Sequence, residues 1–147
     1  MVVSPADGRV QEIARTSGGD AKVGIFMSLW NVHVVRSPIP GKVLRVVRRS
    51  GAHLPAFSTK AGRKNTYVEV VVDGEMEVRV RMIAGALARR VDCWVQEGEE
   101  VERGGRIGMI MLGSKVEVFL PGQVELRVEP GDGVRAGESI LGVMREA

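Results

Sequence analysis

The chain has 147 residues, which is enough for one domain with a buried core. Its formal net charge of +3 is too weak to indicate a nucleic-acid-binding protein, although it suits an anionic lipid surface. A single cysteine, Cys93, excludes an intramolecular disulfide and a cysteine metal cluster, and no apolar stretch approaches the roughly 20 residues that cross a bilayer.

Short units of a turn followed by a strand begin the chain and recur along it. Residues 6–10, 39–43 and 120–124 each place Asp or Pro before Gly, which is typical of a tight turn, and then a Val that starts an extended run. The first unit follows the initial Met almost directly. We therefore expect that an N-terminal segment has been removed from a single catalytic domain spanning residues 1–147.

The middle of the chain predicts a hairpin. Residues 67–72 and 76–82 flank Asp73-Gly74, and in the second run Met and Val alternate with charged residues, so that one face is apolar. The Ala- and Leu-rich residues 84–90 predict one short helix. Residues 50–65 contain breakers and little periodicity, which indicates a long loop.

A longer repeat spans residues 95–108 and 128–142, in which the pattern V-x-x-G-x-x-V-x-x-G recurs at an offset of 33 residues. This pattern resembles the hairpins of biotinyl- and lipoyl-type domains and indicates internal pseudo-symmetry. The predicted fold class is therefore all-β: a compact barrel-sandwich-like domain with pseudo-repeated hairpins and one short helix.

Four stretches occur in an order that resembles one enzyme family. They are SPADG at residues 4–8, FMS and NVHVVRSP within residues 26–38, IAGALARR at residues 83–90, and RIGMI with GSKV within residues 106–116. Each stretch alone is weak. Together they cover nearly the whole chain and resemble the phosphatidylserine decarboxylase family, especially its short bacterial and archaeal branch.

The resemblance implies self-cleavage between Gly113 and Ser114. The Ser114 hydroxyl would attack the preceding carbonyl, which Gly113 leaves uncrowded. The products would be a β chain of residues 1–113 and an α chain of residues 114–147, with Ser114 converted to a covalent pyruvoyl group. That cofactor would accept the electrons released as CO2 leaves, without pyridoxal phosphate or a metal.

The resemblance also assigns roles to three side chains. His33 is a candidate acid or base, since an ordinary histidine pKa near 6.5 suits proton transfer at neutral pH. Asp7 is a candidate for activating Ser114, together with a second histidine in long-form members. This chain has Arg36 at the place of that second histidine, and a guanidinium cannot serve as a base, although it can bind a carboxylate or phosphate. Either Asp7 or His33 then remains to activate Ser114.

The same resemblance implies a phospholipid substrate, either phosphatidylserine or archaetidylserine, with Phe57 as a candidate for lining an apolar mouth. It further implies a homodimer, bound peripherally at the cytoplasmic face of the cell membrane, with no nucleic-acid partner. Two other interpretations stay open. One is a biotinyl- or lipoyl-like carrier, for which Lys115 is not in the usual exposed turn; the other is a non-catalytic interaction module.

Overall fold

The computed structural model describes residues 1–27, 33–52, 65–85, 91–110 and 113–145. Within these residues the chain forms fourteen strands and no helix. The strands are β1 (Val2–Val3), β2 (Gly8–Arg15), β3 (Ala21–Phe26), β4 (His33–Arg36), β5 (Gly41–Arg49), β6 (Tyr67–Asp73), β7 (Glu77–Ile83), β8 (Val91–Cys93), β9 (Glu100–Val101), β10 (Arg106–Ile110), β11 (Lys115–Leu120), β12 (Val124–Leu126), β13 (Gly133–Val134) and β14 (Ile140–Met144).

These strands form three sheets. The largest has eight strands in the order β13-β2-β3-β11-β7-β6-β5-β9, and two smaller sheets have the orders β1-β14-β12 and β4-β10-β8. The pairings between these strands are antiparallel. The all-β fold class predicted from the sequence is confirmed.

The inner face of the large sheet carries the core. On β7 the side chains of Val78, Val80 and Met82 are fully buried, while Arg79 and Arg81 project from the other face. The predicted hairpin is present, since Asp73 pairs with Glu77 across a three-residue loop. Alternation of Val or Met with charged residues therefore identified the buried face correctly, because successive strand residues point to opposite faces.

The predicted helix over residues 84–90 is not formed where the structure describes it. The Ala84 N–H donates to the Thr66 carbonyl at 3.0 Å, and the Ala84 carbonyl accepts a hydrogen bond from Asn65 Nδ2 at 2.8 Å. These contacts continue the pairing of β7 with β6 and override the helix preference of alanine. Gly85 is likewise not helical, and residues 86–90 lie outside the described residues.

Two segments related by the 33-residue offset cross each other at the centre of the pseudo-symmetry. The Val3 N–H donates to the Pro38 carbonyl at 3.0 Å, and the Arg36 N–H donates to the Pro5 carbonyl at 2.8 Å. Adding 33 to the number of Val3 gives Arg36, and subtracting 33 from that of Pro38 gives Pro5. The two hydrogen bonds are thus reciprocal, as a two-fold axis requires.

The equivalence extends to side chains and turns. The Ser4 hydroxyl donates to the Ala6 carbonyl at 2.8 Å, and the Ser37 hydroxyl donates to the Ile39 carbonyl at 2.7 Å. Farther out, the Val10 N–H bonds to the carbonyl of residue 132 at 2.8 Å, and the N–H of residue 43 bonds to that of residue 99 at 2.9 Å. The repeat seen in the sequence is therefore a repeat of hydrogen bonds.

The two serines offer a test of this equivalence. Both are fully buried, so Ser4→Ala and Ser37→Ala should each leave a carbonyl unpaired and lower the free energy of unfolding by about 1–3 kcal/mol. Exposed Ser50 provides the matched control, and Ser50→Ala should change it by no more than about 0.5 kcal/mol. The measurement is urea unfolding in a Ser114→Ala background, where cleavage is not expected. A loss confined to one of the two serines would contradict their equivalence.

Candidate active site

Gly113 and Ser114 lie just before β11, where the chain passes from the small β4-β10-β8 sheet into the large one. Both residues are buried, and Ser114 has no exposed surface. Gly113 has a φ of 71°, in the left-handed region that residues with a Cβ rarely adopt. The Met27 N–H donates to the Ser114 carbonyl at 3.0 Å and fixes the start of β11 against the end of β3.

His33 begins the strand that pairs with the segment leading to Ser114. It lies opposite Ile110, which is three residues before Gly113, and its side chain is only 5% exposed. This pairing ties the His33 backbone to the segment that leads to the Gly113-Ser114 bond. The structure thus places His33 and Ser114 on two segments joined at both ends, by the His33–Ile110 pairing and by the Met27–Ser114 hydrogen bond.

Asp7 lies elsewhere. Strand β3 separates β2, which Asp7 precedes, from β11, which Ser114 precedes. Two strand spacings amount to about 10 Å. The Asp7 side chain is exposed, and its Oδ1 accepts a hydrogen bond from the Ala136 N–H at 2.7 Å. The structure therefore does not bring the Asp7 carboxylate onto Ser114.

Arg36 projects from the opposite face of β4 to His33. His33 and Val35 are buried, while the alternate residues Val34 and Arg36 are half-buried, as in a regular strand. The irregularity in this pairing lies between Arg106 and Gly108, in β10, so β4 itself contains no bend that would turn Arg36 towards His33.

The Arg36 guanidinium instead lines an open polar pocket of about 650 Å³. Its Nη1 donates to the Gly104 carbonyl at 2.7 Å, and Asp7, Arg135 and Glu138 line the same pocket. Asp7 and Arg36, which the sequence analysis treated separately, are thus brought together. Two cationic and two anionic side chains give this pocket a mixed charge.

The pocket breaks the pseudo-symmetry. At the positions related by 33 residues, Asp7 corresponds to Pro40, Arg36 to Val3, Arg135 to Glu102 and Glu138 to Gly105. The backbone hydrogen bonds repeat in both halves, whereas the cluster of two cations and two anions occurs in one. Asp7 and Arg36 each pair one backbone group in this half, at Ala136 and at Gly104, so the two halves differ here in side-chain contacts as well as in charge.

A group of four charged residues lies on the outward face of the large sheet, directly after Ser114. Lys115 is fully buried, and its Nζ lies 2.5 Å from Glu12 Oε1 and 3.6 Å from Glu117 Oε2. Lys22 Nζ lies 3.3 Å from Glu117 Oε2 and 3.8 Å from Glu12 Oε1. We call Glu12, Lys22, Lys115 and Glu117 the charge cluster.

Within the charge cluster, burial raises the pKa of the Glu12 carboxyl. The hydrogen bond and positive charge of Lys115, together with Lys22, lower it by a larger amount, so the pKa lies below its ordinary value. A lowered carboxyl pKa stabilises the fold at pH values above the unfolded pKa. That contribution is lost as the pH falls through the folded pKa. The Glu12 carboxyl is therefore ionised at neutral pH.

The sequence analysis did not single out the charge cluster. The charged residues of β11, Lys115 and Glu117, alternate with apolar ones, and this pattern usually indicates a solvent-exposed face. The signal that could have revealed them is the pairing of opposite charges at two-residue spacing immediately after Gly113-Ser114. Phe57, the remaining predicted site residue, lies outside the described residues.

Neither a metal-binding cluster nor a membrane-spanning helix occurs among the described residues. No cluster of three or more His, Cys, Asp or Glu side chains there could hold a metal ion. No helix in the same part of the chain combines the length and the apolar composition needed to cross a membrane.

Comparisons with known proteins identify relatives. Residues 1–142 match the family model described as phosphatidylserine decarboxylase. A phosphatidylserine decarboxylase proenzyme of Chlorobium chlorochromatii is 43% identical, over 97% of this chain and 70% of that protein. A putative archaetidylserine decarboxylase proenzyme of Methanosarcina mazei is 41% identical, over 98% of this chain and 67% of the relative. No solved structure matches the chain.

Proposed function

The chain belongs to the phosphatidylserine decarboxylase family, and we propose that it cuts itself between Gly113 and Ser114 and then decarboxylates a serine phospholipid. The observation that carries the proposal is the geometry at this bond. A buried Ser114 follows a glycine in the left-handed conformation, and the backbone on both sides is held by sheets. The word proenzyme in the relatives' names is consistent with self-cleavage.

The cleavage can be written with the chain's own atoms. The Ser114 hydroxyl oxygen attacks the Gly113 carbonyl carbon, and the peptide C–N bond breaks to leave an ester and a free amine. Loss of the Ser114 Cα proton then expels the Gly113 carboxylate and leaves dehydroalanine at residue 114. Water hydrolyses its imine tautomer, ammonia departs, and a pyruvoyl group remains.

The site fits that group. The hydrogen bond from Met27 uses the Ser114 carbonyl oxygen, an atom that survives the conversion, whereas the Ser114 nitrogen leaves as ammonia. Full burial protects a reactive ketone from bulk water. When formed, the pyruvoyl group supplies an electrophilic carbonyl that binds the substrate amine and takes up the electrons released with CO2.

His33 is proposed as the acid or base beside this group. Its backbone pairs with Ile110, three residues before Gly113, and its buried imidazole is a group that can donate or accept a proton. In the decarboxylation it would return a proton to the carbon that lost CO2. In the cleavage it is better placed than Asp7 to take the Ser114 hydroxyl proton, because the exposed Asp7 carboxylate is bound to the Ala136 N–H.

Arg36 is proposed to bind an anionic part of the substrate through the polar pocket. One of its donors is used by the Gly104 carbonyl, and the pocket offers a mixed set of charges. The substrate amine would be bound at residue 114, so the anionic group available to Arg36 is the serine carboxylate or the lipid phosphate. Arg36 would bind the substrate apart from His33, since the two side chains leave opposite faces of β4.

We further propose that the enzyme works as a homodimer at the cytoplasmic face of the membrane. The family resemblance and the location of any phospholipid substrate support this setting, and the net charge of +3 is compatible with an anionic lipid surface. The relatives carry both phosphatidylserine and archaetidylserine in their names, so the serine headgroup is the shared chemistry that we propose for the substrate.

Self-cleavage is tested by intact mass. Scaling the 15.9 kDa chain by 113 and by 34 of its 147 residues gives fragments of about 12 and about 4 kDa. Ser114→Ala should remain whole, because it lacks the attacking hydroxyl. Wild-type protein that is folded, shown by a cooperative unfolding transition, and yet uncleaved would refute the proposal.

The role of His33 is tested by His33→Ala. Loss of a general acid should lower kcat by about 10²- to 10⁴-fold. The free energy of unfolding should fall by much less than the activation free energy of decarboxylation rises. His53→Ala removes the only other histidine and serves as the control. Near-normal turnover in fully cleaved His33→Ala protein would remove His33 from the decarboxylation. Failure of His33→Ala to cleave would assign it to the processing step.

The role of Arg36 is tested by Arg36→Lys. An ammonium cannot make the planar two-point contact of a guanidinium, so KM should rise by about tenfold or more, with a smaller change in kcat. Arg127→Lys is the matched control, because Arg127 is exposed and paired with Glu125. An unchanged KM in Arg36→Lys would exclude Arg36 from substrate binding.

A further inference from the structure

Apolar side chains at the buried positions of the charge cluster would avoid the free-energy cost of desolvating charged groups. Removing a buried ion pair in favour of packed apolar side chains is often neutral or stabilising, because desolvating two charges costs several kcal/mol per ion. Lys115 and Glu117 are nevertheless buried to the same extent as the valines beside them. Stability alone therefore does not account for these charges.

The Lys115 side chain needs a glycine beside it on the neighbouring strand β3, at Gly24. A Cβ on Gly24 would lie 2.9 Å from Lys115 Cε and 3.1 Å from Glu12 Cγ. The Lys115–Glu12 pair therefore passes directly over Gly24, between strands β2 and β11. Its two charged ends connect strands that are not hydrogen-bonded to each other.

Cleavage would change what holds this part of the chain. After the Gly113-Ser114 bond is cut, Lys115 becomes the second residue of the new α chain, while Glu12 and Lys22 belong to the β chain. The ends of chains fray unless they are held in place. Lys115 pairs with Phe26 and Ile83 on the two neighbouring strands, and its side chain adds a contact that reaches past β3 to β2.

We propose that Lys115 is a positioning residue: with Glu12 and Glu117 it fixes residue 114 in place before the bond is cut and keeps the new terminus in place afterwards. The inference rests on the proposed self-cleavage at Gly113-Ser114. The Lys115 side chain leaves the opposite face of β11 from that of Ser114, so it acts through the backbone and not on the reacting atoms.

The test uses variants that separate charge from folding. Lys115→Met removes the ammonium and keeps the length of the side chain, and Lys115→Arg keeps the charge. The double variant Lys115→Met with Glu117→Met replaces both buried charges with apolar side chains of similar length, so it should be about as stable as the wild type. Arg45→Met is the matched control, because the Arg45–Glu77 pair is exposed on both sides.

Each variant is measured in three ways: the rate constant of cleavage by intact mass, kcat and KM of the cleaved fraction, and the free energy of unfolding in a Ser114→Ala background. We expect Lys115→Met and the double variant to cleave roughly ten- to a hundredfold more slowly, with kcat lowered and KM little changed, since small displacements of a reacting group cost rate. Lys115→Arg should recover most of the loss, and Arg45→Met should match the wild type.

The double variant decides the question. If it is as stable as the wild type but slow to cleave, the charges position the reacting residue. If it is stable and cleaves at the wild-type rate, the inference is overturned. The inference is also overturned if the cleavage rate of Lys115→Met falls only in proportion to its folded fraction. Failure of the wild type itself to cleave would refute the proposed function instead, which keeps the two failures apart.

Discussion

The crossing of two Ser-Pro segments is the constraint on which the rest of this fold depends. Each segment donates one backbone hydrogen bond to the other, from Val3 to Pro38 and from Arg36 to Pro5. Buried backbone groups must be paired, and the partner segment supplies the donor for each of these two carbonyls. The reciprocal pair fixes one half of the domain against the other and thereby sets where β4 and β10 run.

Function enters where the two halves differ. The repeated hydrogen bonds require little of the side chains, and most positions in the repeat can therefore be read as structural. The mixed-charge pocket around Arg36 occurs in one half only, because the positions related to its charged residues by 33 are Pro40, Val3, Glu102 and Gly105. Comparison of the two halves therefore separates the hydrogen bonds that the repeated backbone requires from the side chains that occur in one half only.

Much of this could be predicted from the sequence, for identifiable reasons. The β6–β7 hairpin followed from strict alternation and Asp73-Gly74, and the 33-residue repeat followed from glycine spacing, since both signals are local. The helix expected at Ala84 failed because its backbone groups bond to Thr66 and Asn65, a tertiary contact that composition does not encode. The separation of His33 from Arg36 followed from regular strand geometry, and the bend needed to unite them is absent from β4. The burial of Lys115 was not predicted, because it depends on Glu12, about a hundred residues away in sequence.

The Gly113-Ser114 bond, which we propose is cut, lies between sheets and not within one. A bond inside a ladder is held flat by pairing on both sides, and its carbonyl is not free to be attacked. The Gly113-Ser114 bond precedes β11, where Gly113 takes a left-handed conformation, yet anchors lie close on either side, at Ile110 and Lys115. Such a position combines local freedom with fixed ends. A reaction that must bring a hydroxyl onto its own preceding carbonyl needs both, because it has no second molecule to supply orientation and must find it in the fold.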